Sequence, residues 1–489
     1  MLRGLTRLLG SLVLLVLAAA LVGAAFTLLR IARYEQKEDF DSMRSKVTAL
    51  GALSGAAQTA PAGRPNLVLI LFDDLGYGDL GAYRSQAPAT PRLDRLAAQG
   101  AVFENFYSAA PYCTPSRAGL LTGRWPIRTG LTQVVFPTGH PIDRVMRAYG
   151  RPTRLPADEI TLADALHAGG YATMMVGKWH LGNEAPSLPG DLGFERYFGV
   201  LHSNDMQPLP LWRDREVVEP HPVDQRTLTR RYTDEAVAFI EASRERPFFL
   251  YVAHSFPHEP LHASVERFGK SPAGIYGDVL ADLDASTGAI VDALERLGLA
   301  KSTLVLVTSD NGPWFEGSAG ALRGRKNDVF EGGMRVPLIA RWPGRIPAGQ
   351  RIEGVATSID VLPTALGLAG LPLPADRIID GVDLRSSLFG RRGDSLPDRP
   401  IFYYEDRALC AVRVGRWKAH RRHGVFGGLA ADWAVVPLMP KGPWLFDLAR
   451  DPDESYDVSQ NNPQELERLE GVMNAFESEL ATNPRGWKR

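Results

Sequence analysis

The feature of this sequence that most constrains its fold is a series of short, continuously apolar runs separated by helical stretches. The apolar runs lie at residues 66–72, 171–176, 247–253 and 303–308. Helical patterns lie at residues 91–99, 161–168, 228–243 and 275–297. Strands that are apolar on both faces must be covered on both faces. The alternation therefore predicts an α/β fold with a large, mostly parallel sheet sandwiched by helices.

Charge and cysteine content exclude several classes of protein. The 489 residues include 55 basic and 56 acidic side chains, for a formal net charge of -1, so no nucleic-acid partner is expected. The two cysteines, Cys113 and Cys410, rule out a disulfide framework and a cysteine-based zinc cluster. A single bridge between them stays open. With 45% hydrophobic residues, the chain has the composition of a globular protein with a large core.

The N-terminal segment is expected to lie outside this fold. Arg3 and Arg7 precede an uncharged run over residues 8–29, which as a helix would be roughly 33 Å long and could cross a bilayer once. The alanines at 18–20 would also allow cleavage as a signal peptide. Length favours an uncleaved signal-anchor, and a cleaved signal peptide stays open. We therefore expect the protein to be exported. It would be anchored in the membrane with its main domain outside the cytoplasm, in the bacterial periplasm, or it would be secreted if the N-terminal segment is cleaved.

The rest of the chain divides by composition. Residues 49–64 are rich in alanine, glycine and proline, which predicts a flexible tether. Short apolar runs near the C-terminus, at 401–404, 411–414 and 417–420, predict a small antiparallel α+β subdomain. The expected divisions are an N-terminal signal-anchor or signal peptide (1–33), a tether (34–64), the main domain (65–397) and the C-terminal subdomain (398–489).

Each of the four apolar runs is followed at once by a dense polar motif. The motifs begin at Asp73–Asp74, Lys178–Trp179–His180, His254 with His258, and Asp310–Asn311. Any one of them could be an ordinary turn, since Asp, Asn and Gly are common turn residues. In open α/β sheets, however, ligands bind outside the carboxyl ends of the strands. Four such motifs at one edge predict a single site.

The oxygen donors of these motifs predict a metal. Asp73, Asp74, Asp310 and Asn311 are hard ligands without sulfur or histidine, a set that suits Ca²⁺ or Mg²⁺ rather than zinc. Adjacent carboxylates repel one another unless a cation lies between them. The sequence therefore predicts a divalent cation held between strand ends.

A set of cationic side chains accompanies the acids. Its members are Arg117, Lys178, His180, His258 and Lys326. Lone histidines and lysines are more often surface or capping residues, but several of these follow strand ends. Cations opposite a carboxylate-bound metal predict an anionic substrate group, and a sulfate or phosphate ester fits.

The most specific motif is CTPSRAGLLTGR, residues 113–124. Pro115 suits the first turn of a helix, so Cys113 is expected near a helix N-terminus with Arg117 on the same face. Leu120 and Leu121 would face the core, and Arg124 would return to the face of Cys113. From the residues alone, Cys113 is either a low-pKa nucleophilic thiolate or a buried structural cysteine.

This dodecapeptide resembles the sulfatase signature, C-x-P-S-R followed by T-G-R. The resemblance extends from about residue 65 to residue 457 and is closest to arylsulfatase A-like members. It includes DDLGYGDLG at 73–81, GKWHLG at 177–182, PHEP at 257–260, SDNG at 309–312, LRGRKNDVFEGG at 322–333 and LFDLARDPDE at 445–454. It implies an alkaline-phosphatase-like fold and the hydrolysis of sulfate esters of aryl, carbohydrate or lipid substrates, releasing inorganic sulfate.

The resemblance also implies the cofactors and a role for each site residue. A dedicated formylglycine-generating enzyme would oxidise Cys113 to formylglycine (3-oxoalanine), whose hydrate carries one hydroxyl that attacks sulfur and a second that permits release of sulfate. Ca²⁺ is the expected metal, with Mg²⁺ as the alternative. The metal ligands are Asp73, Asp74, Cys113, Asp310 and Asn311. The catalytic residues are Cys113, Arg117, Lys178, His180, His258 and Lys326, and the substrate-binding residues are Lys178, His258, Lys326 and Ser203.

Two rival functions stay open. A phosphomonoester or phosphodiester hydrolase of the same superfamily would use the same metal and cations. An inactive protein that binds sulfated glycans would result if Cys113 were never converted. The natural substrate is not fixed by these motifs, because the loops at 136–149 and 206–222 are expected to select it.

Overall fold

The computed structural model describes residues 2–61, 63–84, 86–390, 396, 398–421 and 442–488, with side chains from residue 13 onward. The expected end of the main domain at residue 397 lies outside the described residues.

A ten-stranded sheet forms the centre of the main domain. Its strands are β1 (Asn66–Phe72), β2 (Ala101–Tyr107), β3 (Ala172–Lys178), β4 (Arg196–Val200), β5 (Leu211–Arg213), β6 (Glu216–Glu219), β7 (Phe248–Ala253), β8 (Thr303–Ser309), β9 (Leu338–Arg341) and β10 (Gln350–Thr357). Their order is β10-β2-β9-β8-β1-β7-β3-β4-β5-β6. Only β5 and β9 run against the other strands of this sheet as described.

The helices up to residue 388 are α1 (Leu2–Arg33), α2 (Phe40–Ala57), α3 (Pro91–Ala98), α4 (Cys113–Thr122), α5 (Pro126–Thr129), α6 (Pro141–Ala148), α7 (Leu162–Ala168), α8 (Leu228–Ala242), α9 (Gly274–Arg296), α10 (Glu331–Met334), α11 (Val361–Ala369) and α12 (Arg385–Leu388). Side chains alternate across each strand, so β1 contributes to two cores. Leu67, Leu69 and Leu71 pack on the face covered by α4, α7 and α11. The intervening side chains pack on the face covered by α3, α8 and α9. The predicted α/β sandwich is confirmed.

The C-terminal residues form a second, smaller unit. It consists of β11 (Ile401–Glu405), β12 (Ala408–Val414), β13 (Trp417–His420), β14 (Trp444–Asp447) and α13 (Pro463–Thr482). The strands pair antiparallel in chain order, and α13 packs against β12 and β13. Tyr107 and Trp125 join its apolar core from the main domain. The predicted C-terminal antiparallel subdomain is confirmed.

The N-terminal helix α1 has the length and composition of a membrane-spanning helix. Over Val13–Arg33 its mean hydropathy is 2.3. Each residue from 13 to 30 is exposed. A single apolar helix near the N-terminus is also what a signal sequence provides.

The region expected to be a flexible tether begins instead as a helix. α2 continues to Ala57, with Ala49 and Leu53 buried against the core. Lys46 fixes it to the main domain, because its Nζ lies 3.1 Å from Asp164 Oδ2. The expectation is wrong as far as Ala57, since alanine has a high helix propensity and an apolar face lets the helix pack.

Candidate active site

The carboxyl ends of four adjacent strands meet at the site. In the order β8-β1-β7-β3, Phe72 pairs with Ser309, and both Leu71 and Gly177 pair with Ala253. The register therefore places the polar motifs that follow these strands at one level. All eleven residues predicted for the site lie in this region or on α4 and the loops around it.

Three carboxylates and one thiol form the centre of the cluster. Ligand atoms of Asp73, Asp74, Cys113 and Asp310 all lie within 4.8 Å of one another, and all four residues are buried. Asn311 completes the set, since its Nδ2 donates to Asp74 Oδ1 over 2.7 Å. The buried Oδ1 of Asn311 has no hydrogen-bond partner among the described residues. Buried acids beside a free amide oxygen fit a divalent cation.

Two of the site residues hold unusual backbone conformations. Asp74 and His180 lie in the left-handed region, with φ of 67° and 60°. Residues other than glycine rarely adopt this conformation, and it is retained mainly where the surroundings and the function require it. The backbone N–H of Asp74 donates to Asp310 Oδ1 over 3.1 Å, which fixes the turn after β1 to the end of β8.

Arg117 ties the α4 helix to the strand ends. Its Nε and Nη2 lie 2.9 and 2.8 Å from Asp310 Oδ2, and Nη2 lies 3.4 Å from Asp73 Oδ1. Its Nη1 donates to the backbone oxygen of Lys178 over 2.6 Å. Cys113 Sγ lies 3.3 Å from Asp73 Oδ1. Cys113 and Arg117 therefore share a face of α4, as the spacing predicts.

The other cations also contact these carboxylates. Lys178 Nζ is 2.6 Å from Asp73 Oδ2 and 3.1 Å from Ser203 Oγ. Lys326 Nζ is 2.8 Å from Asp74 Oδ2. His258 Nε2 lies 3.8 Å from the same Asp74 oxygen and 3.5 Å from Ser203 Oγ. Acids and cations thus alternate across the site.

The surroundings shift the pKa values of Asp73 and Asp310 in opposite directions. Burial alone would raise the pKa of Asp73, but Lys178, His258 and Arg117 together hold it well below its usual range. Burial and the charge of Asp73 raise the pKa of Asp310 to about 7, although Arg117 opposes that rise. Without a cation, two neighbouring acids do not share their negative charge equally.

Cys113 lacks the environment of a reactive thiolate. Burial and the negative charge of Asp73 raise the pKa of its thiol well above the usual range. Both cysteines are buried free thiols, so no bridge joins Cys113 to Cys410. The interpretation of Cys113 as a low-pKa thiolate is therefore not supported. Cys410 packs in the apolar core of the C-terminal subdomain.

His180 is bonded to the α4 helix, because its backbone oxygen accepts a hydrogen bond from Thr114 Oγ1. Its Nε2 is 3.1 Å from the backbone oxygen of Val135, and Nδ1 has no partner among the described residues. Burial and the charge of Lys178 lower the pKa of His180 well below its usual range, so the ring is neutral near pH 7. Two contacts of His180 were not predicted from the sequence: the backbone carbonyl of Val135 and the ring of His202. A backbone carbonyl carries no sequence signal. His202, however, precedes Ser203 in the HSNDM stretch and could have been proposed.

Arg124 does not return to the face of Cys113. The α4 helix ends at Thr122, and Gly123 takes the left-handed conformation with φ of 67°. Arg124 therefore leaves the helix axis and pairs with the buried Glu159, 2.7 Å away. His254 is buried, and its Nε2 lies 3.2 Å from Ser286 Oγ.

A cavity of about 520 Å³ opens outward from the site. Asp74, His258 and Lys326 line its inner part. Its outer part is lined by residues that the sequence analysis did not select: Asp205, Glu259, Pro260, Trp314 and Asn327. Short motifs identify the buried residues, whereas the mouth is built from loops whose approach depends on the fold.

Comparison with known proteins gives one family for both units. Residues 65–371 match the sulfatase family, and residues 396–486 match the C-terminal region of aryl-sulfatase. Mouse N-acetylgalactosamine-6-sulfatase is 42% identical over 469 residues, covering 86% of each chain. Bovine arylsulfatase A is 39% identical over 482 residues, covering 88% of this chain and 92% of its own.

The fold comparison agrees. The PsFucS1 sulfatase from Pseudoalteromonas sp. superposes with a TM-score of 0.76 at 28% identity, covering 91% of this chain and 96% of that one. A sheet with four polar strand ends, a buried signature helix and relatives across most of the chain lead to one conclusion: this protein belongs to the sulfatase family of the alkaline-phosphatase-like superfamily, enzymes that hydrolyse sulfate esters.

Proposed function

We propose that this protein hydrolyses sulfate esters through a formylglycine made from Cys113 and a bound divalent cation, releasing inorganic sulfate. The observation that supports this most is the position of Cys113. Its Sγ lies beside three carboxylates on a helix whose Arg117 bonds two of them. A residue that serves as both ligand and nucleophile must lie at such a junction.

Asp73, Asp74, Asp310 and Asn311 would hold the cation, together with the converted Cys113. Their oxygens suit Ca²⁺, which the family resemblance favours, or Mg²⁺. Bound there, the cation would supply positive charge to an ester oxygen and to the nucleophile. Formylglycine would supply, as its hydrate, the hydroxyl that attacks sulfur and a second one for release of sulfate.

The side chains of the protein would orient the ester and move protons. Lys178 and Lys326 would bind sulfate oxygens and offset negative charge as it develops in the transition state. His258 lies beside both Ser203 and Asp74 at the inner end of the cavity, where it would bind the ester and protonate the leaving oxygen. Ser203 would position Lys178 and His258, since its Oγ lies within 3.5 Å of both.

Three further groups would act on the hydrate. Arg117 would hold it, because its guanidinium already reaches Asp73 and Asp310. Asp310 would help to remove the proton of the attacking hydroxyl. His180, neutral and joined to α4 through the bond from Thr114 Oγ1 to its backbone oxygen, would take the second proton.

We propose a sulfated sugar as the substrate class. Trp314 and Asn327 border the cavity, and the acids Asp205 and Glu259 lie at its mouth. Carboxylates accept hydrogen bonds from sugar hydroxyls, and an indole ring packs against the apolar face of a pyranose. N-acetylgalactosamine-6-sulfatase is named for a sugar substrate and is among the curated relatives.

Activity and mass spectrometry together test the reaction. We expect a Cys113→Ala variant to lose hydrolysis of 4-nitrophenyl sulfate, while a Cys410→Ala control keeps it. Peptide mass spectrometry of residues 113–124 from the native host should show formylglycine, made by a formylglycine-generating enzyme. Wild-type activity in Cys113→Ala would refute the proposal. Faster hydrolysis of nitrophenyl phosphate mono- or diesters than of nitrophenyl sulfate would favour the phosphohydrolase. An unmodified Cys113 thiol in an inactive protein would favour the glycan-binding alternative.

We also propose that α1 is an uncleaved membrane anchor, with residues 65–397 forming the catalytic domain outside the cytoplasm and residues 398–489 its C-terminal subdomain. The exposed apolar surface of α1 and its length support this. N-terminal sequencing of membrane-extracted protein is the test. A mature chain that begins after residue 20 and fractionates with soluble proteins would show a cleaved signal peptide instead.

A further inference from the structure

The short helix α6 turns an apolar face to solvent. Ile142, Val145 and Tyr149 are 45%, 54% and 75% exposed. Their spacing of three and four residues places them on one side of the helix and its final turn. Met146 and Ala148 in the same helix are buried. Large apolar side chains grouped in this way usually mark a contact surface.

Helix α6 lies beside the end of α1. The two helices contact each other. Among the residues of α1 whose side chains are described, from residue 13 onward, Ile31 is the first that is partly buried, which places the contact near the C-terminal end of α1. If α1 spans a bilayer, that end marks the level at which the chain leaves the hydrocarbon, and α6 lies at the same level.

Hydrogen bonds hold the segment that follows α1 against the main domain. Tyr34, directly after α1, donates from its hydroxyl to the backbone oxygen of Arg151 over 2.6 Å. Gln36 Nε2 donates to the backbone oxygen of Arg154 over 3.0 Å, and Arg154 returns a bond of 2.8 Å to the oxygen of Gln36. The guanidinium of Arg147, on α6, lies 5.5 Å from the centre of the Tyr34 ring. These contacts fix the height of α6 relative to α1.

The charges around this face suit an anionic lipid surface. Arg30 and Arg33 occupy the last turn of α1. Arg144 on α6 is exposed. Arginines placed at the headgroup level attract anionic phospholipids, and Tyr149 is the type of residue that is enriched at membrane interfaces.

We propose that Ile142, Val145 and Tyr149 rest in the headgroup region of the bilayer that α1 spans, with anionic phospholipid as the partner of the neighbouring arginines. This rests on the proposed role of α1 as an anchor. The result would be a catalytic domain that lies on the membrane in one orientation, attached at two points.

This orientation would bring the active site close to the lipid. Val135, whose backbone oxygen bonds His180, lies seven residues before Ile142 along the chain. A chain segment of that length spans at most about 25 Å. The wall of the active site would therefore lie within about 25 Å of the membrane surface.

Site-specific fluorescence on the full chain in phospholipid vesicles tests the contact. Ile142→Cys and Val145→Cys would each carry an environment-sensitive nitrobenzoxadiazole label; both native cysteines are buried. Ser302→Cys is the matched control, because Ser302 is exposed and precedes β8 at the amino-end edge of the sheet, opposite the active site. In phosphatidylcholine–phosphatidylglycerol vesicles we expect blue-shifted emission and quenching by nitroxide lipids at 142 and 145, but not at 302.

Flotation of the vesicles separates the two ways in which the proposal can fail. Protein that does not float with the vesicles overturns the anchor and, with it, the contact. Protein that floats while labels at 142 and 145 report water, as at 302, overturns the contact alone. Equal quenching at all three positions also contradicts it, because the proposed contact is confined to one face.

Two further comparisons address the chemistry of the contact. In vesicles of phosphatidylcholine alone, the blue shift should be smaller, because the arginines lose their anionic partners. A label at Tyr149→Cys should lose most of its shift when Ile142 and Val145 are changed to Asn. Circular dichroism and thermal unfolding of that variant check its fold, and an unchanged shift would contradict the proposal.

Discussion

Lys178 Nζ lies 2.6 Å from Asp73 Oδ2, and both side chains are completely buried. This ion pair joins the end of β3 to the end of β1 across β7, at the centre of the site. Removing one partner of a buried pair leaves an uncompensated charge, which commonly costs about 3–5 kcal/mol.

We expect Lys178→Met to lower both stability and activity. Arg117 and His258 still oppose the charge of Asp73, so a loss of about 3 kcal/mol in the free energy of unfolding is expected, at the lower end of that range. The kcat/KM for sulfate esters should fall by at least about 100-fold. Denaturant unfolding and steady-state kinetics are the measurements, with the exposed Lys301→Met as control. Unchanged kinetics would remove Lys178 from the catalytic set.

Removal of the metal should lower the thermal stability. Asp73, Asp74 and Asp310 lie within one cluster. A cation whose free concentration is about 100 times its dissociation constant stabilises the folded state by about 2.7 kcal/mol. Dialysis against a chelator should reduce Tm and abolish activity, and Ca²⁺ should restore both. Calorimetric titration checks the same site: Asn311→Ala should bind Ca²⁺ more weakly, whereas Asn474→Ala on α13 should not differ from the wild type.

Acid should destabilise the protein through Glu159. Burial opposes ionisation of this carboxyl, but Arg124, Arg485 and Arg377 hold its pKa at about 2. A carboxyl whose pKa is lowered on folding stabilises the fold fully above its unfolded value, near 4.3, and loses that contribution as the pH falls toward 2. The difference corresponds to about 3 kcal/mol.

Urea unfolding at pH 6 and at pH 3 measures this contribution. Glu159→Gln should be destabilised at pH 6 and should show a smaller further loss at pH 3 than the wild type. The control variant Glu467→Gln, at an exposed position, should have the same free energy of unfolding as the wild type at pH 6 and at pH 3. Parallel curves for the wild type and Glu159→Gln would mean that another acid controls the response.

Asp205 should discriminate between sugar and aryl substrates. It lies at the mouth of the cavity, where a hydrogen bond from a sugar hydroxyl to a carboxylate contributes about 1.5–3 kcal/mol. Asp205→Ala should lower kcat/KM for N-acetylgalactosamine 6-sulfate by about tenfold or more, and for 4-nitrophenyl sulfate much less. Asp453→Ala, on a turn of the C-terminal subdomain, is the control. An equal loss for both substrates would argue against sugar recognition by Asp205.

Local patterns predicted the buried half of the site. Each apolar run ends where its strand leaves the core. The change from apolar to polar sequence therefore marks the end of the strand and the polar residues that follow it. Parallel pairing of β8, β1, β7 and β3 then brings Asp73, Lys178 and Asp310 together. The family resemblance supplied the roles, which spacing cannot provide.

The features that could not be predicted depend on tertiary contacts. Residues 49–57 have the composition of a linker, and the burial of Ala49 and Leu53 makes them part of a packed helix. Arg124 follows a glycine that ends the helix, so helical spacing no longer applied to it. Trp314 and Asp205 lie on loops that meet only in the folded chain.

The contact of Arg124 with a residue near the C-terminus delays the final packing of the signature segment. All ten residues of α4 are buried, and Arg124 beyond its end bonds the backbone oxygen of Arg485, 361 residues later. At about 5–20 residues per second, a ribosome needs about 20–70 s to make the intervening chain. Until then this end of the signature segment cannot take its final place, and afterwards Cys113 is only 2% exposed. An enzyme that oxidises this cysteine would therefore have at least that interval in which to reach the segment before packing buries it.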